Sequence, residues 1–262
     1  MRIPMIAGNW KLHKTLDEAT ALVKELIPAV AENDKVEIVV APVYTALSKV
    51  AEVITGSNIK LAAQNCYPEP HGAFTGEVSA PLLLDVGCRY VIIGHSERRQ
   101  LFGETDESVN RKLHAAAEAG LGVILCIGET LEEREGDRML DVLRRQVRFA
   151  LRNLSTAQMA DLVIAYEPVW AIGTGVTASN EQAQEAHAFI RALVSELYDQ
   201  ETADAMRILY GGSVKPGNVD GLMIQPDVDG ALVGGASLQA EDFARIVNFQ
   251  SDARSKPDRR KK

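Results

Sequence analysis

The sequence predicts an α/β protein whose single domain is a (β/α)8 barrel. About eight short apolar runs alternate with about eight helical connections, and a length of 262 residues suits one barrel of this kind. An open, doubly wound sheet is the alternative architecture. No linker divides the chain, so we expect residues 1–250 to form the barrel. We expect residues 251–262, with six basic and two acidic residues, to form a disordered basic tail.

The apolar runs have the character of parallel strands that are buried on both faces. They are short, rich in aliphatic and β-branched residues, and without polar alternation. They span residues 5–7, 36–41, 59–63, 90–93, 122–127, 162–166, 207–210 and 228–233. Amphipathic stretches between them predict helices over residues 16–30, 107–119, 131–151 and 180–198. In the last of these, Ala183, Ala186 and Ile190 lie on one apolar stripe.

Residues 64–79 form a connection with neither a helical nor a strand pattern. A long loop in a compact domain usually has a function or is disordered, and the prolines, aromatic residues and glycines here favour order. Phe74, Thr75 and Gly76 lie near its tip. The residues alone leave two interpretations open, a self-packed loop or a finger that inserts into a partner subunit.

The composition narrows the classes of function. With 46% hydrophobic and 24% charged residues, the chain has an ordinary globular composition. Its net charge of −8 argues against a general binder of nucleic acids or membrane surfaces. Cys66, Cys88 and Cys126 have no metal-ligand spacing and suit buried thiols in a reducing compartment. We therefore expect no metal site, no membrane span and a cytoplasmic location.

Polar residues follow the first, fourth and sixth predicted strands. Asn9 and Lys11 come after the first strand, where the lysine can present an ammonium group to an anion. His95 follows the fourth strand at the start of a helical turn, whose dipole opposes protonation and favours a neutral imidazole. Glu167 follows the sixth strand, and Pro168 keeps it out of the helical backbone region. The glycine-rich segment beyond suits a flap that closes over a general base.

Paired glycines follow the seventh and eighth predicted strands, in Gly211-Gly212-Ser213 and Gly234-Gly235. Missing side chains let backbone N–H groups approach a phosphate, and a following helix N-terminus adds a favourable field. In a (β/α)8 barrel, the loops after these two strands form a recurrent phosphate site.

Because the carboxyl ends of barrel strands converge on one face, these groups should ring one pocket. The chain shows neither a nucleophile–base pair of the acyl-transfer kind nor a dinucleotide fingerprint. The residue types therefore indicate proton transfer on a small phosphorylated substrate without a cofactor. Carbonyl isomerisation through an enediol is the simplest such reaction.

Longer motifs of the chain resemble the signatures of the triosephosphate isomerase family. They are Gly8-Asn9-Trp10-Lys11, Gly94-His95-Ser96-Glu97-Arg98-Arg99, Cys126-Ile127-Gly128-Glu129, Ala165-Tyr166-Glu167-Pro168-Val169-Trp170-Ala171-Ile172-Gly173-Thr174-Gly175, Tyr210-Gly211-Gly212-Ser213 and Gly234-Gly235. The resemblance covers roughly residues 3–249. It implies a (β/α)8 TIM barrel that interconverts dihydroxyacetone phosphate and D-glyceraldehyde 3-phosphate without a cofactor.

The resemblance also implies roles for individual residues. Glu167 would remove the substrate proton, neutral His95 would donate to the developing oxyanion, and Lys11 would supply positive charge. Asn9 and Glu97 would orient these groups. The phosphate would be held by the backbone N–H groups of Gly173, Ser213, Gly234 and Gly235. The lid that closes over the site would comprise Pro168, Val169, Trp170, Ala171, Ile172, Gly173, Thr174, Gly175, Val176, Thr177 and Ala178.

Members of this family are homodimers whose third loop enters the neighbouring subunit. The resemblance therefore favours the finger interpretation of residues 64–79 and implies a dimer interface at Phe74, Thr75 and Gly76. The implied partners are a phosphorylated triose and a second copy of the chain, with neither nucleic acid nor membrane.

Two residues depart from what is common in the family, Leu12 after the lysine and Val176 at the end of the lid. The first is a tolerable swap, and the second bears on lid kinetics rather than on the reaction. Two other functions fit the scaffold, an isomerase for a larger sugar phosphate and a non-catalytic phosphate binder. The intact Lys11, His95 and Glu167 argue against the second.

Overall fold

A computed structural model describes residues 2–172 and 177–250 of the chain. Within these residues, eight parallel strands close into a barrel in sequence order, and the first strand pairs with both the second and the eighth. This closure confirms the (β/α)8 barrel and rules out the open doubly wound sheet. The strands are β1 (Met5–Asn9), β2 (Glu37–Ala41), β3 (Ile59–Ala63), β4 (Cys88–Ile93), β5 (Gly122–Ile127), β6 (Leu162–Tyr166), β7 (Arg207–Tyr210) and β8 (Gly230–Val233).

The helices surround the barrel, and several begin with a side-chain cap. Thr15, Thr105 and Ser179 each start a helix with a reciprocal capping box, which satisfies backbone N–H groups that have no partner within the helix. The α-helices among the described residues are α1 (Leu16–Val30), α2 (Leu47–Ile54), α3 (Ala80–Asp85), α4 (Ser96–Leu101), α5 (Asp106–Ala119), α6 (Leu131–Glu135), α7 (Met139–Ala150), α8 (Asn180–Leu197), α9 (Gln200–Ala205), α10 (Val219–Met223) and α11 (Ala240–Val247).

Two of the predicted elements are interrupted or shortened by a left-handed or otherwise irregular backbone, whereas others differ by one or two residues at their ends. The helix predicted over residues 131–151 is interrupted, because Gly136 ends α6 and Asp137 adopts a left-handed backbone with φ of +54°. The strand predicted from residue 228 begins only at Gly230, whose φ of +151° breaks the extended backbone. A side chain at Gly230 would place its Cβ 1.8 Å from the carbonyl oxygen of Met5, so this position requires glycine.

Alternate residues of each strand pack into two separate apolar layers. One set points into the barrel and forms a compact interior that includes Met5, Val39, Ile124 and Leu209. The other set faces the helices and joins the larger outer core, for which Ile6 is an example. Because both faces of every strand are buried, the strands read as continuous apolar runs, as the sequence indicated.

The long connection 64–79 is ordered and partly packs on itself. The rings of Tyr67 and Phe74 lie 4.7 Å apart between centroids, and the backbone N–H of Tyr67 donates to the carbonyl of Val78. Phe74 nevertheless remains 40% exposed near the tip. Within ranges 2–172 and 177–250, no helix has the length and apolar character that a bilayer crossing needs.

Candidate active site

The structure brings five predicted site residues together at the carboxyl end of the barrel. Lys11 Nζ lies 2.6 Å from Glu97 Oε1, and His95 Nε2 lies 3.0 Å from Glu167 Oε1. Asn9 ends β1 and is only 5% exposed. Asn9 and Lys11 lie at the end of β1, His95 and Glu97 follow β4, and Glu167 follows β6, so barrel closure gathers residues that are far apart in the sequence.

Glu167 is a buried carboxylate that several donors hold in the charged form. It is 1% exposed and accepts hydrogen bonds from Ser96, at 2.9 Å from the backbone N–H and 3.3 Å from Oγ. Burial, the largest single influence, raises the pKa of Glu167, whereas the ring of His95 lowers it through its charge when protonated and through its hydrogen bond. The backbone N–H of Ser96 and the charge of Lys11 also act downward, so the pKa ends below its usual value.

His95 caps the N-terminus of α4, as its position after the fourth strand predicted. Its Nδ1 accepts a hydrogen bond of 3.2 Å from the backbone N–H of Glu97. A ring nitrogen that accepts a bond carries no proton, so this contact favours the neutral tautomer with its proton on Nε2.

The carboxylate of Glu167 acts in the opposite direction on the same ring. Burial lowers the pKa of His95, but the facing charge of Glu167 offsets it and the pKa is raised. The helix dipole alone, which supported the prediction of a neutral ring, is therefore an incomplete account. The donor at Nδ1 opposes protonation, because an imidazolium would direct an N–H at another N–H.

Lys11 has a constrained backbone that two neighbouring side chains hold. Its φ is +51°, in the left-handed region. The side chain of Asn9 accepts from the Lys11 N–H at 3.0 Å, and Gln64 Nε2 donates to the Lys11 carbonyl at 2.8 Å. Gln64 also donates to the carbonyl of Ala41 at 2.8 Å, so it ties the Lys11 turn to β2.

The described start of the predicted lid is anchored on a buried carboxylate that the sequence did not assign. Residues 168–172 include a short turn at Val169–Ala171. Glu129 Oε1 accepts from Trp170 Nε1 at 2.8 Å and from Tyr166 Oη at 3.0 Å. Arg134 pairs with the same oxygen at 3.0 Å. The predicted lid residues Gly173, Thr174, Gly175 and Val176 lie outside the described residues, as does the tail 251–262.

Both predicted phosphate turns lie at the same mouth of the barrel. Gly235 begins a short helical turn, Gly235–Leu238, whose first N–H groups have no partner within the turn. A Cβ at Gly234 would lie 3.5 Å from Lys11 Cε, so this backbone is close to the lysine. Ser213 is half-buried after β7, and its carbonyl accepts from Asn218 at 3.0 Å.

The structure gives the glycines after β7 a second purpose. A Cβ at Gly211 would lie 2.9 Å from Glu167 Cγ, and one at Gly212 would lie 2.3 Å from Tyr210 Oη. The pair therefore leaves room for the carboxylate and for a buried ring, besides the predicted role at the phosphate.

The three cysteines are buried, as expected. Burial raises the pKa of Cys66 and of Cys88 to about 12. Burial, with the nearby charge of Glu167, raises the pKa of Cys126 well above its ordinary value. No cluster of histidine, cysteine and carboxylate side chains able to hold a metal ion occurs in the described part of the chain.

Comparison with known proteins identifies what this site is similar to. The sequence model of the family described as "Triosephosphate isomerase" matches residues 4–250. A protein of that name from Syntrophotalea carbinolica is 64% identical over 251 residues, which cover 96% of this chain and 100% of the relative. One from Trichlorobacter lovleyi is 62% identical over 250 residues, covering 95% and 100%. One from Geobacter metallireducens is 61% identical over 251 residues, covering 96% and 100%.

Proposed function

The chain belongs to the triosephosphate isomerase family, and from this we propose that it interconverts dihydroxyacetone phosphate and D-glyceraldehyde 3-phosphate, a reaction of glycolysis, through an enediolate. The observation that carries the mechanism is the contact between His95 Nε2 and Glu167 Oε1 at 3.0 Å, at the end of the barrel where Lys11 pairs with Glu97. A base, a proton donor and a cation in one water-poor site are what a proton transfer next to a carbonyl requires.

In this mechanism Glu167 removes the proton from the carbon beside the carbonyl. Its lowered pKa keeps it ionised at neutral pH, so it is ready to accept. The proton then sits on the carboxyl group while the substrate is an enediolate. Return of the proton to the neighbouring carbon completes the exchange of aldehyde and ketone.

His95 and Lys11 stabilise the charge that develops on the substrate oxygens. The neutral ring donates from Nε2 to one oxygen and can pass protons between the two. Lys11 adds a positive charge that Glu97 holds in position through the 2.6 Å ion pair. Asn9 fixes the backbone of Lys11 and thereby the direction of its side chain.

The phosphate of the substrate binds at the turns after β7 and β8. Ser213, Gly234 and Gly235 supply backbone N–H groups there, and Gly173 of the lid adds another. The lid, residues 168–178, closes over the bound substrate and keeps the enediolate away from water. Residues 1–250 form the catalytic domain that carries all of these groups.

The protein functions as a homodimer in the cytoplasm. The β1–β4 half of the barrel exposes eight large apolar side chains, and five of them lie where a partner would cover them. They are Leu12 at 92%, Phe74 at 40%, Leu82 at 55%, Leu101 at 73% and Phe102 at 67% exposure. The tip of loop 64–79, with Thr75 and Gly76, enters the partner and approaches its active site.

A coupled assay with purified protein tests the proposed reaction. D-glyceraldehyde 3-phosphate should be converted to dihydroxyacetone phosphate without an added metal or cofactor. Larger sugar phosphates serve as the comparison substrates. Turnover of a larger sugar phosphate with none of the triose would replace the proposal with the isomerase of larger sugars, and no turnover of either would favour a phosphate binder.

A further inference from the structure

A cavity of about 350 Å³ lies beside Glu167 and extends to the protein surface. Its inner lining includes Ser96 and Glu167, and neither Lys11 nor His95 belongs to the described lining. The cavity therefore reaches the carboxylate of Glu167 from a side that Lys11 and His95 do not line. Its outer lining includes the exposed residues Gln100, Thr105 and Arg145.

The lining has the polar character that water requires. Arg99 and Arg145 both pair with Asp106, at 2.6 and 3.2 Å, and Gln146 bonds to the backbone of Gly128. These groups lie next to Thr105, and all of them line the cavity. At roughly 30 Å³ for each water in the liquid, a cavity of this size has room for a short chain of waters with several polar partners each.

The described part of the lid, residues 168–172 and 177–178, contributes one residue to the lining of this cavity. Among the described residues of the lid, Val169 lines it, whereas Pro168, Trp170, Ala171 and Ile172 do not. Val169 is held through its N–H, which donates to the carbonyl of Glu129 at 3.1 Å. The mouth of the cavity at Gln100, Thr105 and Arg145 therefore lies apart from the described part of the lid.

We propose that this cavity is the route by which the proton on Glu167 exchanges with solvent while the substrate is enclosed. The inference rests on the proposed function, in which Glu167 holds the substrate proton between its removal and its return. The neutral carboxyl group gives its proton to a cavity water and becomes a carboxylate, and a proton from solvent returns along the same water chain. Ser96 Oγ, 3.3 Å from Glu167 Oε1, borders both the carboxylate and the cavity.

Isomerisation in D2O measures this exchange directly. Product molecules gain deuterium at the carbon that receives the returned proton only when exchange precedes return, and proton NMR gives that fraction. Arg145→Trp should fill the cavity mouth, because Arg145 lines the cavity and is 51% exposed. We expect the deuterated fraction to fall several-fold with kcat close to that of the unmodified enzyme.

Arg144→Trp is the matched control on the same helix. The Arg144 side chain is 47% exposed, but its guanidinium lies 5.5 Å from the ring of Phe189 and outside the described lining. It should change neither kcat nor the deuterated fraction. Arg145→Ala, which widens the mouth, should keep the fraction at or above that of the unmodified enzyme.

Gln100→Trp fills the mouth from α4 and decides the question if Arg145→Trp fails to fold. An unchanged deuterated fraction in an active, folded plug variant overturns the proposed route and leaves the isomerase function intact. Absence of triose phosphate turnover in the unmodified enzyme would instead remove the proposed function itself.

Discussion

Glu167 combines two properties that oppose each other, burial and charge. An isolated carboxylate at 1% exposure would be strongly destabilised in the ionised form. The two donors of Ser96 and the ring of His95 compensate by hydrogen bonding to it. Because these bonds also fix the position of the two oxygens, the geometry of the base is set as tightly as its charge.

That geometry predicts the effect of Glu167→Asp. The shorter side chain keeps the carboxylate but withdraws it by about one methylene, and a displacement near 1 Å can cost on the order of 10²-fold in rate. We expect kcat to fall by at least this factor with a small change in KM, as measured in the coupled assay. Glu185→Asp, at an exposed position of α8, is the control and should retain full activity. Turnover equal to that of the unmodified enzyme would remove Glu167 as the base.

The buried side chain of His187 should make the stability of the fold depend on pH. It is fully buried in α8, and its Nε2 has no hydrogen-bond partner in the described structure. Burial lowers its pKa to about 4, against an unfolded value near 6.5. The unfolded chain therefore binds more protons between these values, so falling pH destabilises the fold from about 6.5 down to about 4.

The size of this effect follows from the shift of the pKa. In the unmodified protein, the free energy of unfolding should fall by about 3 kcal/mol between pH 7 and pH 4 because of this histidine. His187→Gln should abolish that loss. Urea denaturation at fixed protein concentration measures it, since a dimer would make stability concentration-dependent. His71→Gln, at an exposed site, should keep the loss. Equal pH profiles for the unmodified protein and His187→Gln would contradict this prediction.

The sequence identified residues placed at strand ends but missed the residues that position them. Asn9, His95 and Glu167 stand out because a polar group directly follows an apolar run. Gln64 and Glu129 act through other side chains or backbone groups, and such contacts depend on the closed barrel rather than on spacing. Glu129 belongs to the motif Cys126-Ile127-Gly128-Glu129, which resembles the family, but its hydrogen bonds with Tyr166 and Trp170 do not follow from the sequence.

At the scale of elements, the strands were predictable and the longest charged helix was not. Parallel strands buried on both faces form apolar runs that the sequence shows directly. The periodicity of residues 131–151 continues through Gly136, yet a glycine followed by the left-handed Asp137 ends α6 there. A short break preserves the apolar faces on both sides, so periodicity alone does not reveal it.

Because β6 and β7 are neighbours, Gly211 after β7 lies against Glu167 after β6, and a methyl group added at Gly211 should affect activity. Gly211→Ala would place a Cβ 2.9 Å from Glu167 Cγ, which must then move. We expect kcat to fall by on the order of 10²-fold, because the base is displaced. Circular dichroism should show an unchanged fold. Gly217→Ala is the matched control, since its Cβ would meet no described atom within 4 Å, and it should leave kcat unchanged.

At the scale of the whole molecule, eight of the twelve large apolar side chains exposed among the described residues lie between residues 3 and 102, in the β1–β4 half of the barrel. The chain carries a net charge of −8, which makes two copies repel at a distance, so association needs a specific apolar contact. In the proposed dimer loop 64–79 would supply one, because Phe74 packs against Tyr67 with the rings tilted by 42° and still exposes 40% of its surface. This internal packing holds the loop in shape and leaves the exposed part of the ring available to a partner.

We therefore expect Phe74→Asp to dissociate the proposed dimer. A carboxylate at a buried interface would lose its hydration without a paired charge, so sedimentation equilibrium should give the mass of a monomer. Leu140→Asp is the matched control, because Leu140 is also 40% exposed but lies in α7, outside the β1–β4 half of the barrel. It should leave the mass unchanged. The monomer should also have low activity, because each active site would lack the loop tip of its partner, and a Phe74→Asp protein that sediments as a fully active dimer would exclude this loop as the interface.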